Sequence, residues 1–236
     1  MSISENIAAV RERMAEAAER AGRDPDGILL VAVTKTHGPD AINEAIDAGV
    51  TDIGENKVQE IVAKYDSVKP VRWHMIGHLQ TNKVKYIADK VSLIHSVDSF
   101  HLAAEIDKRC AKIGRTMDIL IQINPAGEAQ KSGIPPEEAE PLIREILEKL
   151  PNIRVKGLMF VAPEADDPEN VRKWFREVKA LYDACAEIEH PRLDFEWLSM
   201  GMSHDFPVAI GEGSNLIRVG TALFGARDYS NVKKEN

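Results

Sequence analysis

Short apolar runs alternate along the chain with longer segments in which apolar residues recur at helical spacing. The first of these segments is N-terminal, where Ile7, Val10 and Met14 fall on one face of a helix. Ser4 is its expected N-cap, and Gly22 is its expected C-terminal stop. The pattern predicts an amphipathic helix ahead of the first strand.

Eight apolar runs have the length of a strand, and helical patterns separate them. The predicted strands span 28–34, 51–54, 72–77, 92–97, 117–123, 155–161, 194–200 and 216–220. The helices between them include one beginning near Leu79, and one after strand 2 with Val58, Ile61, Val62 and Tyr65 on its buried face. No composition break suggests a linker. The sequence therefore predicts a closed (β/α)8 TIM barrel with an extra N-terminal helix, as one domain over residues 1–236.

Composition narrows the partners of this barrel. The 236 residues include 44% hydrophobic and 29% charged residues, with a net charge of -8. A nucleic-acid surface needs clustered Lys and Arg, so we expect no nucleic-acid partner. Two cysteines, Cys110 and Cys185, are too few for a disulfide framework and lack metal-ligand spacing. Because no leader and no apolar run of membrane-spanning length is present, we expect a cytoplasmic protein with no membrane partner.

Functional sites in this fold lie at the C-terminal ends of the strands. Polar or glycine residues follow most of the predicted strands at that end. They are Thr34, Lys35 and His37; Glu55, Asn56 and Lys57; Gly77, His78, Gln80 and Asn82; His95, Ser96 and Asp98; Asn124; Ser199, Gly201, Met202, Ser203 and Asp205; and Arg218, Gly220 and Thr221. This pattern predicts where the site lies without identifying the ligand.

Two features narrow the ligand, namely a lysine after strand 1 and glycine- and hydroxyl-containing segments after strands 7 and 8. Lys35 follows an apolar run, where a lysine is either a rim residue that reaches water or a reactive amine. The segments SMGMS and RVGTALFG stand at the common phosphate site of this fold. An amine opposite a phosphate site suits a Schiff base with a phosphorylated carbonyl compound. A phosphosugar in an aldolase and pyridoxal 5'-phosphate (PLP) both satisfy this requirement.

Eight motifs in order resemble those of the pyridoxal phosphate homeostasis protein family along nearly the whole chain. They are VAVTK at 31–35, GENKVQE at 54–60, WHMIGHLQTNK at 73–83, IHSVDS at 94–99, QIN with KSG at 131–133, GLM at 157–159, LSMGMSHD at 198–205 and RVGTALFGAR at 218–227. The family's barrel is similar to the N-terminal domain of alanine racemase. The resemblance implies that PLP is the cofactor and that Lys35 holds it as a Schiff base. It also implies a role in PLP homeostasis and delivery, without an established turnover reaction.

Site residues follow from the fold and the resemblance together. Ser203, Gly220 and Thr221 are expected to bind the phosphate through hydroxyl and backbone N–H groups, in a loop shaped by Gly201 and Met202. The alternative for Ser203 and Thr221 is a routine turn and helix cap. We favour phosphate binding, because the loops after strands 7 and 8 commonly bind phosphate in this fold.

Two further residues are assigned around the cofactor ring. Arg218 is similar to the arginine that contacts the pyridine nitrogen in the racemase barrel, the alternative being a phosphate or structural ion-pair partner. A guanidinium cannot accept a proton, so the ring would be a weaker electron sink than with an aspartate partner. Asn56 is expected to reach the ring hydroxyl or pack beside the ring. Glu55 is expected only to cap the following helix.

The histidines suggest no metal site. His74 and His78 are four residues apart, but they straddle a strand end and lack the glutamate of H-E-x-x-H. His74 is expected to pack or hydrogen-bond within the barrel and His78 to lie on the loop. His95, Asn82 and Lys83 either line the pocket or organise the strand-end loops. We predict no catalytic residue and no metal ligand.

Three functions remain open. The prediction is a non-enzymatic PLP carrier that serves PLP-dependent apo-enzymes transiently. The alternatives are a racemase-like PLP enzyme and a Schiff-base aldolase without a cofactor. A racemase needs acid-base groups on both faces of its substrate. The chain ends soon after strand 8, so we expect it to lack the racemase's second domain, which supplies the opposing tyrosine base, and to be a monomer.

Overall fold

The computed structural model describes residues 2–128 and 130–225. Ala226 and Arg227, the end of the last motif, lie outside the described residues. The strands are parallel and close into a barrel, with each strand beside the next and β8 beside β1. They are β1 (Leu29–Val33), β2 (Asp52–Glu55), β3 (Arg72–Met75), β4 (Leu93–Val97), β5 (Met117–Ile123), β6 (Ile153–Phe160), β7 (Leu193–Ser199) and β8 (Leu216–Val219). Each overlaps a predicted run, so the (β/α)8 prediction is confirmed.

Helices surround the barrel. Those in the described residues are α1 (Ile3–Arg20), α2 (Pro39–Asp47), α3 (Val58–Lys64), α4 (Phe100–Lys112), α5 (Ala139–Lys149), α6 (Arg172–Ala186), α7 (Phe206–Gly211) and α8 (Thr221–Phe224). The extra helix α1 packs against α7 and α8. Its apolar stripe, including Ile7, Val10 and Met14, is buried, because a helix with one apolar face gains stability by covering it.

The start of α1 differs from the prediction, because Ser2 and not Ser4 is the N-cap. The Ser2 hydroxyl accepts the N–H of Glu5 at 3.2 Å, and the Glu5 carboxylate accepts the N–H of Ser2 at 2.7 Å. This reciprocal capping box satisfies two N–H groups at once, whereas Ser4 lies inside the helix. The C-terminal prediction fits, since the helix ends at Arg20 and Gly22 follows with a φ of 66°.

The connection after β3 also differs from the prediction. In place of an α-helix from near Leu79, the chain forms a 3-10 helix over Thr81–Tyr86 and continues in tight turns. Val84 and Ile87 are nevertheless fully buried. Thr and Asn have low helix propensity, so the opening Thr81-Asn82 pair favours the short, tighter helix.

The core has two parts that position the site. Val31, Leu93, Leu120, Met159 and Leu216 form a small apolar layer separate from the main core. The larger apolar cluster includes residues of both the strands and the surrounding helices. Side chains alternate between the two faces of a strand. The next inward-facing positions after Val33 of β1 and Arg218 of β8 are therefore two residues further on, at the C-terminal end of the barrel. Polar residues can therefore stand above the apolar layer at that end.

Candidate functional site at the C-terminal end of the barrel

A cavity of about 590 Å³ opens at the C-terminal end of the barrel. Small-molecule sites commonly have volumes of about 300–1,000 Å³, so this one can hold a ligand the size of a cofactor. Six of the seven predicted binding residues line it, namely Lys35, Met202, Ser203, Arg218, Gly220 and Thr221. The structure therefore brings together residues that are as much as 186 positions apart in the chain.

Asn56, the seventh predicted residue, lines a neighbouring cavity of about 450 Å³. Other residues of that cavity are Lys57, Val58, Gln59, His78, Gln80 and Lys83. Gly77 lets this loop approach closely, because a Cβ there would lie 2.3 Å from the carbonyl oxygen of Asn56. The Asn56 Oδ1 atom is buried and has no hydrogen-bond partner among the described residues. Contact of Asn56 with a cofactor ring remains a prediction.

Converging donors near Ser203 suit a phosphate. The Ser203 hydroxyl oxygen accepts the backbone N–H groups of Gly220 and Ala222, both at 3.3 Å. Two amides thus point toward one place, as backbone groups do in anion sites. A Cβ on Gly220 would lie 3.2 Å from Cβ of Val33, so a side chain there would crowd the wall. The hydroxyl, the amides and the neighbouring Thr221 fit the predicted phosphate role.

Gly201 gives the loop after β7 its shape. It has a φ of 96°, in the left-handed region that favours glycine. A Cβ there would lie 2.8 Å from Cβ of Ala209 and 2.9 Å from Cα of Phe206. Glycine at this position therefore allows the loop that holds Met202 and Ser203 to pack against α7.

Lys35 is half-buried and follows Val31 and Val33 at alternate positions, so its side chain faces the cavity. The next residue, Thr36, has a φ of 69°, which is unusual for a β-branched residue. Its N–H donates to Oε2 of Glu60 at 2.8 Å. This bond holds the backbone in a conformation that threonine seldom adopts, directly beside the lysine.

A buried ion cluster stands behind this turn. The Lys64 ammonium donates to Glu55 Oε1 at 2.7 Å, to Glu60 Oε2 at 2.7 Å and to the Thr34 carbonyl at 3.0 Å. The Thr34 hydroxyl also donates to Glu55 Oε1, at 2.6 Å. Both neighbours of Lys35 are therefore hydrogen-bonded to the cluster. Thr34 contacts Glu55 and Lys64, and Thr36 contacts Glu60.

The predicted helix-capping role of Glu55 is wrong. The N-cap position of α3 is Lys57, whose side chain makes no capping hydrogen bond within the described part of the chain. Glu55 ends β2 with its side chain fully buried against Lys64, because alternation points it out of the barrel wall toward α3. One of its oxygens, Oε2, has no hydrogen-bond partner among the described residues.

The free energy of unfolding is expected to fall as the pH rises from about 5 to 8, because Glu55 loses its proton over this range. Burial raises the pKa of this carboxyl to about 7, although Lys64 and the Thr34 hydroxyl oppose the shift. The folded protein therefore binds an extra proton between the unfolded and folded pKa values, and this stabilisation is lost as the pH passes through the folded value. The change is on the order of 1–3 kcal/mol, since each pKa unit corresponds to about 1.4 kcal/mol.

Urea unfolding of Glu55→Gln across the same pH range checks this expectation. The variant should show a flatter dependence than the wild type, because its amide does not titrate. Glu187→Gln, at an exposed position, is the control and should follow the wild type. Equal slopes for wild type and Glu55→Gln would show that Glu55 titrates normally.

Arg218 is 4% exposed and lines the cavity. Its Nη1 donates to the Ser199 hydroxyl at 2.6 Å, and its Nη2 donates to the Phe160 carbonyl at 2.8 Å. Burial lowers its pKa to about 10, which still leaves the group charged at neutral pH. Arg218 is thus a rigid cationic donor in the wall, as the predicted pyridine contact requires.

His74 and His78 lie where the sequence placed them, whereas His95, expected to line the pocket or organise the strand-end loops, is fully buried inside the barrel. His74 is buried and hydrogen-bonded inside the barrel, to Asp52 and His95. His78 is on the loop, with Nδ1 3.3 Å from the Ser132 hydroxyl. Across residues 2–128 and 130–225, no group of three or more His, Cys, Asp or Glu side chains is arranged to hold a metal ion.

The loop after β6 also lines the cavity, and sequence reasoning missed it. Its lining residues are Ala162, Pro163, Glu164, Ala165, Asp166, Pro168 and Val171. His204 Nε2 lies 3.2 Å from the Asp166 carbonyl and connects this loop to the one after β7. The available signal was the segment PEADDP, which follows strand 6 at the position where other strands present polar residues.

No helix in the described ranges is long and apolar enough to cross a membrane. Cys110 and Cys185 are both buried and are not joined in a disulfide. Burial raises the pKa of both thiols, that of Cys185 to about 11, so neither is a reactive thiolate at neutral pH.

Comparisons with known proteins agree on the barrel and its family. The family model described as alanine racemase, N-terminal domain, matches residues 5–228. A pyridoxal phosphate homeostasis protein of Aquifex aeolicus is 46% identical over 97% of this chain and 100% of its own length. The structure of PipY from Synechococcus elongatus with PLP bound is 32% identical, with a TM-score of 0.81 over 95% of this chain and 100% of that one.

Similarity to alanine racemase itself shows the fold alone. The Clostridium difficile enzyme is 17% identical, with a TM-score of 0.67, over 92% of this chain and 55% of the racemase chain. The barrel and its site thus define a protein of the alanine racemase N-terminal domain class. Within that class, the chain belongs to the pyridoxal phosphate homeostasis protein family.

Proposed function

We propose that this chain is a PLP-binding barrel domain that holds PLP as a Schiff base on Lys35 and acts in intracellular PLP homeostasis and delivery. One observation supports this most strongly, namely that Lys35 and the Ser203–Gly220–Thr221 group line the same cavity. The PipY structure with PLP bound and the name of the Aquifex relative agree with it. Two buried, unpaired cysteines fit the reducing conditions of the cytoplasm.

Each residue has a defined task in this proposal. The hydroxyls of Ser203 and Thr221 and the amides of Gly220 and Ala222 bind the phosphate. The Lys35 amine would form the covalent link by condensing with the aldehyde of PLP and releasing water, and PLP would supply that aldehyde and an aromatic electron sink. Arg218 stays protonated and would donate to the ring nitrogen of PLP, which would keep that nitrogen unprotonated and weaken the sink. The site is therefore better suited to holding PLP than to stabilising a carbanion.

A racemase-like enzyme is the second candidate, because titratable groups line the cavity. Glu164, Asp166, His204 and Asp205 all belong to its wall. Proton transfer at a substrate carbon needs such groups on the correct faces. Burial raises the pKa of Asp205, whose Oδ1 accepts the N–H of Met202 at 2.5 Å. This hydrogen bond gives Asp205 a role in shaping the loop.

Delivery can be tested by protection and transfer of PLP. PLP-loaded protein is mixed with an apo-aminotransferase in the presence of a phosphatase that destroys free PLP. We expect recovery of aminotransferase activity, because PLP passes from the Lys35 site before the phosphatase reaches it. Free PLP and Lys35→Ala protein incubated with PLP are the controls and should give no recovery.

The same loaded protein separates the two candidates. Exchange of amino-acid α-protons in deuterated water, followed by NMR, should not exceed that of free PLP. Failure to protect PLP would contradict the carrier function. Rapid exchange that depends on Lys35 would favour the racemase-like enzyme.

A further inference from the structure

A continuous chain of buried polar side chains crosses the barrel beneath the cavity. Most barrels of this kind fill their interior with branched apolar residues, so such a chain is unusual. The consecutive distances are 2.6 Å from Arg218 Nη1 to Ser199 Oγ, 2.9 Å from Ser199 Oγ to His95 Nδ1, 2.9 Å from His95 Nε2 to His74 Nδ1, and 2.8 Å from His74 Nε2 to Asp52 Oδ1. Every member is at most 4% exposed.

The far end of this chain reaches water on the opposite side of the barrel. Asp52 begins β2, and its carboxylate binds Arg72 in a bidentate pair, with Nε to Oδ1 at 2.7 Å and Nη2 to Oδ2 at 2.6 Å. The Arg72 side chain is 60% exposed. The chain therefore connects a solvated ion pair at the N-terminal end of the strands to Arg218 in the cavity wall.

The two ends of the chain fix the direction of every hydrogen bond in it. Arg218 can only donate. Burial alone would raise the pKa of Asp52, but hydrogen bonds from His74, Arg72 and Thr51 hold it well below its usual range. Asp52 is therefore ionised and can only accept. Donation runs in one direction, from the guanidinium at one end to the carboxylate at the other.

This direction assigns one tautomer to each histidine. The Ser199 hydroxyl accepts from Arg218 and donates to Nδ1 of His95. Nε2–H of His95 donates to Nδ1 of His74, and Nε2–H of His74 donates to Asp52. Both imidazoles are then neutral with the proton on Nε2, and each of their four ring nitrogens makes one hydrogen bond.

Reversing the direction of donation leaves the Ser199 hydroxyl proton without a hydrogen bond. It would place protons on both nitrogens of His74 and turn His95 to donate from Nδ1 to Ser199. The Ser199 hydroxyl would then have no acceptor among its described partners, which are Arg218 and His95. It would also put a second positive charge in the buried chain, on His74. Burial and the charge on Arg218 hold the pKa of His95 well below its usual range, and a charge on His74 in the opposite arrangement would lower it further, so His95 is neutral.

We propose that Asp52, His74, His95 and Ser199 are positioning residues that orient the Arg218 guanidinium toward the cofactor ring through this one-directional chain. The chain uses one Nη1 proton and the Phe160 carbonyl holds Nη2, so two of the five N–H groups are occupied and the group cannot rotate freely. Orientation toward the ring rests on the proposed PLP function, whereas the direction of the chain does not.

The first test needs no PLP. Nitrogen-15 NMR of the histidine side chains should show His95 and His74 each with a protonated Nε2 and an unprotonated Nδ1. Assignment uses loss of signals in His95→Gln and His74→Gln. A protonated Nδ1 on His95, or a doubly protonated His74, would overturn the proposal whether or not the protein binds PLP.

The second test uses PLP labelled at the pyridine nitrogen. Ser199→Ala and His95→Leu should shift the pyridine resonance and raise the PLP dissociation constant about tenfold, since a buried hydrogen bond to a charged group is lost. His95→Gln should restore both values, because its amide offers one acceptor and one donor. Ser96→Ala is the matched control, because Ser96 is buried and its hydroxyl has no hydrogen-bond partner among the described residues.

The outcomes separate the two levels of the proposal. If wild-type protein fails to bind PLP, the proposed function fails while the NMR test of the chain still stands. If PLP binds but Ser199→Ala and His95→Leu leave the pyridine resonance at the Ser96→Ala position, the positioning role is overturned. A shift in these variants that His95→Gln reverses supports it.

Discussion

Lys35→Ala is expected to abolish the visible absorption band that PLP gives when bound as a Schiff base. The Lys35 side chain lies in the cavity with the phosphate-binding groups, and alanine has no amine to form the covalent link. The phosphate contacts remain, so weak noncovalent binding of PLP should persist. Absorbance spectra during titration with PLP measure the band, and dialysis measures the loss of retention.

Two variants sharpen this result. Lys35→Arg keeps the positive charge but cannot form the imine, so it should also lack the band. Lys57→Ala removes a lysine from the neighbouring cavity and should keep it. A band that survives in both Lys35 variants would contradict the assignment.

Lys64→Met is expected to destabilise the protein by about 3–5 kcal/mol, because it removes one partner of a buried ion pair. Lys64 is 9% exposed and stands between the carboxylates of Glu55 and Glu60. Without it these carboxylates face one another, and the Thr34 carbonyl loses its donor. Urea unfolding measures the change in free energy.

Lys69→Met is the matched control for the ion-pair loss. Lys69 pairs with Asp47 at the surface, where both side chains are largely exposed. Removing an exposed pair changes stability by about 0–1 kcal/mol. Lys64→Met combined with Glu55→Gln and Glu60→Gln should recover much of the lost stability. Equal small effects at both lysines would show that the buried cluster contributes little.

The cluster also connects stability to the site, because it holds both neighbours of Lys35. Thr34 is bonded to Glu55 and Lys64, and Thr36 is bonded to Glu60. Loss of Lys64 should therefore loosen the turn that aims the reactive amine. The turn after β1 is thus supported from the outer side of the barrel wall, away from the ligand.

The barrel was predictable because its signals are local. Each strand is a short apolar run, and each run lies between turn residues and helical spacing. The two wrong predictions about the helices also have local causes, because in each case two hydrogen-bond patterns compete. Ser4 was displaced as N-cap by Ser2, which has Glu5 three residues ahead, and the Thr81-Asn82 start favoured a 3-10 helix over an α-helix.

The candidate site divides in the same way. Lys35, Ser203 and Arg218 could be predicted because they lie near the C-terminal ends of strands, where this fold places its functional sites. The buried cluster was missed because helical spacing assigned Val62 to the inner face of α3. In the structure Val62 is 45% exposed and Lys64 is buried, since Glu55 from the adjacent strand draws the lysine inward.

Such partners depend on tertiary contacts rather than on spacing. Asp52 and Ser199 were missed as members of the interior chain for this reason. Their partners lie 22 and 104 residues away in the sequence, at His74 and His95 respectively.

Borohydride reduction followed by peptide mapping by mass spectrometry tests the central claim most directly. Reduction converts a Schiff base into a stable amine. The lysine that holds PLP therefore keeps the added mass of the cofactor after digestion. The PLP adduct should appear on the peptide that contains Lys35. An adduct on a different lysine, with Lys35 unmodified, would contradict the proposed site.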